Sequence, residues 1–159
     1  MATEATLDWW LFGATSATDL RPAGDSEGLH PEFSRRLHFF CADHGVEVLS
    51  GHRSSAEQKF LFDNQHRPGF NPANPPGKSN HEAVPFDHAM ALAADLHPES
   101  NFDSGNISQA EADEIARKYG IHFPLRLQEN EDHHAQPVEV ASAQWSGMPE
   151  LCRWDFSWR

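Results

Sequence analysis

The chain has 159 residues and a formal net charge of −12, and this length suits one domain with a single hydrophobic core. Proteins bind nucleic acid mainly through Lys and Arg contacts to phosphates, so the acidic balance argues against a nucleic-acid partner. Hydrophobic residues make up only 38% of the chain, but eleven Phe and five Trp supply bulk for a core.

The amino-terminal residues 1–29 are rich in Ala, Thr, Gly, Asp and Ser beyond an aromatic cluster at residues 9–12. We predict an irregular N-terminal arm whose aromatic side chains pack on the domain. The first residues are acidic where a signal peptide is basic, and their apolar run is too short, so we expect no signal peptide. We also expect no membrane span, because no apolar stretch approaches the required length.

A helix is predicted over Pro31–His44, because apolar residues recur there at helical spacing and proline favours the first turn. Gly45 follows at the position where a left-handed residue commonly ends a helix. Residues 46–50 then alternate in the manner typical of a strand.

A capping box from Ser55 to Gln58 would open a second helix over residues 56–64. Arg53 precedes it, at a strand-to-helix junction. Its planar guanidinium is a candidate for holding a carboxylate through two parallel hydrogen bonds.

Residues 65–78 are rich in Pro, Gly and Asn, which predicts a loop. His81 follows this loop, and residues 91–96 have the small, apolar composition of a strand buried on both faces. Between them, residues 83–89 are interpreted as an excursion at the rim of a site.

A second capping box over residues 108–111 predicts a helix through Tyr119, with Gly120 as its stop. Residues 121–125 predict a short edge strand that contains a proline, and residues 137–140 predict a closing strand. Together these elements predict an α+β fold, in which helices pack on a small antiparallel sheet within a single domain.

One histidine, His81, and one carboxylate, Asp95, are candidates for two of the three protein ligands that a catalytic zinc site needs. The polar run at residues 129–136 supplies candidates for the third ligand and for a general base. We therefore hypothesise a zinc centre with Glu131 as its base and three ligands: His81, Asp95 and His134.

Three short motifs follow one another along the chain. They are Ser-Gly-His-Arg-Ser at residues 50–54 with Gln58 downstream, Ser-Asn-His at residues 79–81 followed by Ala-Ala-Asp-Leu at residues 93–96, and Glu-x-x-His at residues 131–134. This order resembles the zinc D-Ala-D-Ala carboxypeptidase and L-alanyl-D-glutamate endopeptidase family, the VanY-like peptidases, which includes many phage endolysins. The resemblance covers roughly residues 30–140 and implies a zinc peptidase domain with the hedgehog/D-Ala-D-Ala peptidase-like fold.

The resemblance implies Zn²⁺ as the cofactor and a peptidoglycan stem peptide as the substrate. It makes three residues the zinc ligands: His81, Asp95 and His134. It makes Glu131 the catalytic base, which takes a proton from the zinc-bound water and passes it to the leaving amine. It also makes three side chains substrate-orienting groups: Arg53, Gln58 and Ser79.

The sequence departs from the family pattern in several places. His52 replaces a Tyr, Ala91 replaces a Gly, and residues 132–133 replace a Pro-Trp pair. The interval between the first histidine and the aspartate is also longer, which makes Asp87 and His88 rival ligands. Asp95 is preferred because residues 93–96 reproduce the family's strand and the excursion does not.

The Trp-rich residues 141–159 lie beyond the resemblance, and we predict that this extension packs on the domain. An alternative is that the Trp-rich termini dock on a phage virion or tail assembly. We expect a protein made in the host cytoplasm and released by lysis or holin action, or one carried on a virion.

The alternative function is a catalytically silent, metal-stabilised structural or cell-wall-binding module of a phage particle. Glu131 and Arg53 favour the enzyme, because a silent module has no use for a base or a carboxylate clamp.

Overall fold

The computed structural model describes residues 20–82, 90–97, 108–125 and 133–141. Three helices and four strands lie in these ranges: α1 (Pro31–His44), β1 (Val48–Ser50), α2 (Ser55–Asn64), β2 (Ala94–Leu96), α3 (Gln109–Arg117), β3 (Ile121–His122) and β4 (His134–Pro137). The predicted α+β class, with helices packed on a small antiparallel sheet, is confirmed. Residues 1–19 of the predicted arm, the excursion at 83–89 and residues 142–159 of the predicted extension lie outside the described residues.

Helix α1 supplies one side of the hydrophobic core. Its buried apolar side chains recur at helical spacing: Phe33, Leu37, Phe40 and Cys41. At its amino end the His30 ring accepts a hydrogen bond from the Glu32 N–H at 3.3 Å. Gly45 ends the helix with a φ of 64°, which is the left-handed conformation that the sequence predicts there.

The sheet has the strand order β1-β2-β4-β3, and every neighbouring pair is antiparallel. All three residues of β2 are buried, in agreement with the predicted strand that is buried on both faces. In this register Asp95 lies opposite Ser50 of β1 on one side and opposite His134 of β4 on the other. The sheet therefore places a carboxylate between two polar residues near the middle of the domain.

Residues 20–29 lie along the sheet. Gly24 pairs with Val48 and Leu29 pairs with Ala91, each in a parallel bridge. Gly24 has a φ of 93°, and a Cβ atom at this position would stand 2.1 Å from the Val48 carbonyl oxygen. Only glycine allows the two backbones to approach this closely.

Arg36 connects α1 to the far end of the sheet. Its Nη1 donates to the Gly120 carbonyl at 2.7 Å and to Glu139 at 2.8 Å, and its Nε donates to Glu32 at 3.1 Å. The largely buried guanidinium thus joins α1 to two segments that are distant in the chain.

The capping box of α2 lies one residue earlier than predicted. Ser54 is the N-cap, and its Oγ accepts from the Glu57 N–H while the Glu57 carboxylate accepts from the Ser54 N–H. The predicted partner Gln58 points inward instead and is 1% exposed. The box predicted over residues 108–111 is confirmed, with Ser108 as N-cap, although α3 ends at Arg117 before the turn at Gly120.

The prediction of a closing strand at residues 137–140 is wrong, because the strand is β4, which begins at His134. Residues 138–140 form a turn in which the Val140 N–H bonds to the Pro137 carbonyl at 2.9 Å. The sequence did not predict β4 as a strand because its histidine and glutamine side chains are polar, and their burial depends on partners from other parts of the chain.

None of the helices in the described ranges is long and apolar enough to cross a membrane.

Candidate metal centre

Three predicted ligand side chains meet in the structure. His81, Asp95 and His134 are all buried, and each offers one ligand atom within 4.8 Å of the others. The His81 Nε2 atom lies 3.2 Å from His134 Nδ1 and 3.4 Å from Asp95 Oδ1. The His134 Nδ1 atom lies 3.0 Å from the same Asp95 oxygen.

The sheet register accounts for two of these positions. Asp95 and His134 are directly opposed residues of β2 and β4, and directly opposed side chains lie on the same face of a sheet. His81 enters from the turn after the long loop, where its carbonyl accepts from the Arg53 N–H at 2.8 Å. Glu82 holds that turn, because its Oε2 accepts from the N–H groups of Gly77 and Ser79 at 2.7 and 3.3 Å.

Each imidazole turns a lone pair toward the other ligand atoms. The His81 Nδ1 atom lies 2.7 Å from the Gly51 carbonyl oxygen. A carbonyl only accepts hydrogen bonds, so Nδ1 carries the proton and Nε2 is a bare acceptor. On the other ring, His134 Nε2 lies 2.9 Å from Oε1 of Gln136, which leaves Nδ1 as the acceptor that faces the cluster.

The electrostatics of the cluster favour an ionised Asp95 and a His81 ring that is hard to protonate. Burial lowers the pKa of His81, although the Asp95 carboxylate opposes that shift. Burial alone would raise the pKa of Asp95, but the two histidines outweigh it and the pKa lies well below its ordinary value. With the ring tautomers that the Gly51 and Gln136 oxygens impose, three acceptors converge in a buried space, which is an arrangement that a cation stabilises.

The donor set fits a divalent metal ion. Two imidazole nitrogens and one carboxylate oxygen are the ligands that catalytic zinc sites use, with a fourth position left for water or substrate. The protons on the far nitrogens of both rings are held by oxygen acceptors, as metal-binding histidines require.

Arg53 contacts the cluster through the Asp95 carboxylate. Its Nη2 donates to Asp95 Oδ2 at 2.5 Å, and its Nε lies 3.4 Å from Ser50 Oγ. The sequence predicts that this guanidinium holds a substrate carboxylate, whereas in the structure one of its nitrogens holds the carboxylate of the site itself.

A cleft of about 480 Å³ lies beside Arg53, between the end of β1 and helix α2. Its walls combine charged, polar and apolar side chains: Asp25, Ser50, His52, Arg53, Ala56, Glu57, Phe60 and Leu61. Phe60 is 59% exposed, so an aromatic ring is available on this wall.

The other predicted site residues have different surroundings. Ser79 is buried, and its Oγ accepts from the His81 N–H at 3.3 Å. Gln58 donates from Nε2 to the Asn74 carbonyl in the loop at 2.7 Å. Glu131 lies outside the described residues, as do the rival ligands Asp87 and His88. The substrate-orienting and catalytic roles of these residues stay predictions.

Gln136 was not singled out from the sequence, although it contacts a ligand. A sequence signal existed, because residues two apart on a strand point to the same face, and Gln136 follows His134 at that spacing. It could be used only if residues 134–137 were recognised as a strand.

No family model matches the chain, and neither does any curated protein. Among solved structures, the chain is similar to one described as the LdcB LD-carboxypeptidase, whose structure reveals the molecular basis of peptidoglycan recognition. The two share 17% sequence identity with a TM-score of 0.47, over 79% of this chain and 69% of the other. At this level of similarity the residues of the site, and not the likeness, carry any conclusion about function.

Proposed function

We propose that the protein is a zinc-dependent peptidase that hydrolyses peptide bonds in the stem peptides of peptidoglycan. The observation that carries the proposal is the convergence of two imidazole lone pairs and a carboxylate oxygen in one buried cluster. Such a cluster is destabilising without a cation, and its ligand types are those of catalytic zinc.

The residues of the chain divide the chemistry among them. His81, Asp95 and His134 would hold the ion, which supplies a Lewis acid that polarises a carbonyl and makes water a better nucleophile. Glu131, three residues before a ligand, would accept a proton from the attacking water and deliver it to the leaving amine. Arg53 holds the second oxygen of Asp95, so that the first oxygen stays turned toward the histidines.

The motif order supports peptidoglycan as the substrate. The cleft beside Arg53 would hold the extended peptide, and Arg53 itself contacts the Asp95 carboxylate of the cluster. A phage setting, as an endolysin released at lysis or as a virion component attached through its Trp-rich termini, rests on the same motif resemblance. The net charge of −12 opposes a nucleic-acid partner for either form.

The test has a metal arm and a product arm. The purified full chain should hold one zinc ion per chain by elemental analysis, and mass spectrometry should show new products from purified muropeptides. His81→Ala should lose the zinc, whereas His66→Ala, which alters an exposed loop histidine, should keep it. His88→Ala should also keep it, and loss of zinc there would make His88 the ligand in place of Asp95.

A Glu131→Gln variant separates catalysis from metal binding. It should keep its zinc and lose about 10²–10⁴-fold in rate, because proton transfer is lost while the ligands remain. Stoichiometric zinc in a wild-type protein that releases no product from any muropeptide would instead support the silent structural module.

A further inference from the structure

We infer that Gln136 is a positioning residue that fixes the ring tautomer of His134 and thereby selects Nδ1 as the nitrogen that faces the metal centre. The inference rests on the proposed metal site, and it does not depend on peptidase activity. It concerns a residue that lies behind the ligand, on the side away from Asp95.

The Gln136 side-chain amide has hydrogen-bonding contacts at both of its ends in the interior. The side chain is fully buried. Its Oε1 lies 2.9 Å from His134 Nε2 and accepts from Asn80 Nδ2 at 3.1 Å. Its Nε2 donates to the Val140 carbonyl at 2.8 Å.

The orientation of this amide follows from the Val140 carbonyl. A carbonyl oxygen only accepts, so the NH₂ end of Gln136 must face Val140 and the oxygen end must face His134. His122 Nε2 lies 2.7 Å from the same carbonyl oxygen and is a second donor to it. An amide oxygen also only accepts, so His134 Nε2 carries the proton and Nδ1 presents its lone pair to Asp95 and His81.

The two histidines are held by different kinds of acceptor. The tautomer of His81 is fixed by the backbone carbonyl of Gly51, and no side-chain substitution removes that oxygen. The tautomer of His134 depends on a side chain. Gln136 also bonds to Asn80, the neighbour of His81 in the chain, and so joins the segments that carry both imidazoles.

Without the Gln136 oxygen, the Nδ1-protonated tautomer of His134 becomes more stable relative to the Nε2-protonated one. A proton on Nδ1 would donate to Asp95 Oδ1, which is already 3.0 Å away. That proton would occupy the direction in which the ring must bind the metal. A proton left on Nε2 would instead be buried without an acceptor, which is costly.

The experiment measures ring tautomers and zinc affinity in the full chain. Long-range ¹H–¹⁵N NMR of the histidine rings should show His134 protonated on Nε2 in the metal-free wild type. Gln136→Met, which is similar in volume but has no oxygen, should populate the Nδ1-protonated form. It should also weaken zinc binding by about 10–100-fold in a competition titration with a chelating dye.

Two further variants separate positioning from packing. Gln136→Glu keeps an oxygen toward His134, and as the neutral acid it can also donate to Val140, so tautomer and zinc affinity should stay near wild type. Gln58→Met removes an equally buried amide that bonds to the loop, and it should leave the His134 tautomer unchanged.

The inference is overturned if metal-free wild type carries the His134 proton on Nδ1, a result that needs no variant to fold. It is also overturned if folded Gln136→Met keeps the Nε2–H tautomer and wild-type zinc affinity. A protein that binds zinc through His134 but cuts no muropeptide would refute the proposed function and leave these readouts intact.

Discussion

The two carboxylate oxygens of Asp95 have different partners. Oδ1 faces the two histidine lone pairs, while Oδ2 accepts a charge-assisted hydrogen bond from Arg53. Because both side chains are largely buried, neither charge is well solvated without the other. At the residue scale, Arg53 therefore has a structural role at the site in addition to any role toward substrate.

Replacing Arg53 by Met tests that structural role. The metal-free variant should lose about 1.5–3 kcal/mol of unfolding free energy, the usual worth of a hydrogen bond to a charged group, as measured by urea denaturation. The exposed Arg67 provides a control, and Arg67→Met should change the unfolding free energy little. An unchanged unfolding free energy in Arg53→Met would contradict the structural role.

At the element scale, helix α2 is held more weakly than α1. Gln58 is its only buried residue within the described chain, whereas α1 buries six of its residues. A helix with so little burial depends more on its own hydrogen bonds and caps. Because α2 forms one wall of the cleft, its amino-terminal cap also affects the shape of that cleft.

Two adjacent serines test the cap. Ser54→Ala removes the oxygen that accepts from the Glu57 N–H, and it should cost about 1 kcal/mol. Amide hydrogen exchange should accordingly become faster along α2. Ser55→Ala alters the neighbouring exposed residue, which is already inside the helix, and exchange should stay close to wild type. The reverse result would place the cap at Ser55, as the sequence alone suggests.

The elements that the sequence predicts well are those with local signals. Helix α1 combines apolar spacing with a glycine stop, and both lie within one segment. Strand β4 has no such local pattern, because His134 and Gln136 are polar and are buried through partners that include Asn80, 56 residues away. Periodicity cannot detect a partner at that distance. The motif resemblance named the three side chains that meet at the site, whereas the orientation of each ring depends on carbonyl and amide oxygens that no motif includes.

At the scale of the whole molecule, histidines outside the metal centre also contribute to stability. His44 packs against the Phe40 and Tyr119 rings at centroid distances of 4.7 and 5.7 Å, and His122 bonds to the Val140 carbonyl. Burial lowers the pKa of His44, with Asp43 opposing the shift. Burial likewise lowers the pKa of His122. Both rings are therefore harder to protonate in the folded chain than in the unfolded chain.

This difference predicts that the unfolding free energy of the protein is lower in mild acid than at neutral pH. When the pH falls through the ordinary histidine pKa of about 6.5, the unfolded chain binds protons that the folded chain does not, so the unfolding free energy decreases. Urea midpoints of the metal-free protein should fall between about pH 7.5 and pH 5.5. His44→Gln should reduce this pH dependence, while His66→Gln, which alters an exposed ring, should not. Equal midpoints at the two pH values would contradict the prediction.

The pairing of β2 with β4 has a consequence for the histidine doublet at residues 133–134. If β4 slipped by one residue, His133 would stand opposite Asp95 and a histidine would still be present at that position. The same slip would turn every side chain of the strand to the opposite face. Ala135 would then take the place of Gln136 behind the imidazole. The misaligned strand would keep a ligand of the right type but lose the oxygen that orients it. Correct alignment is thus distinguished by the second residue after the histidine, and not by the histidine itself.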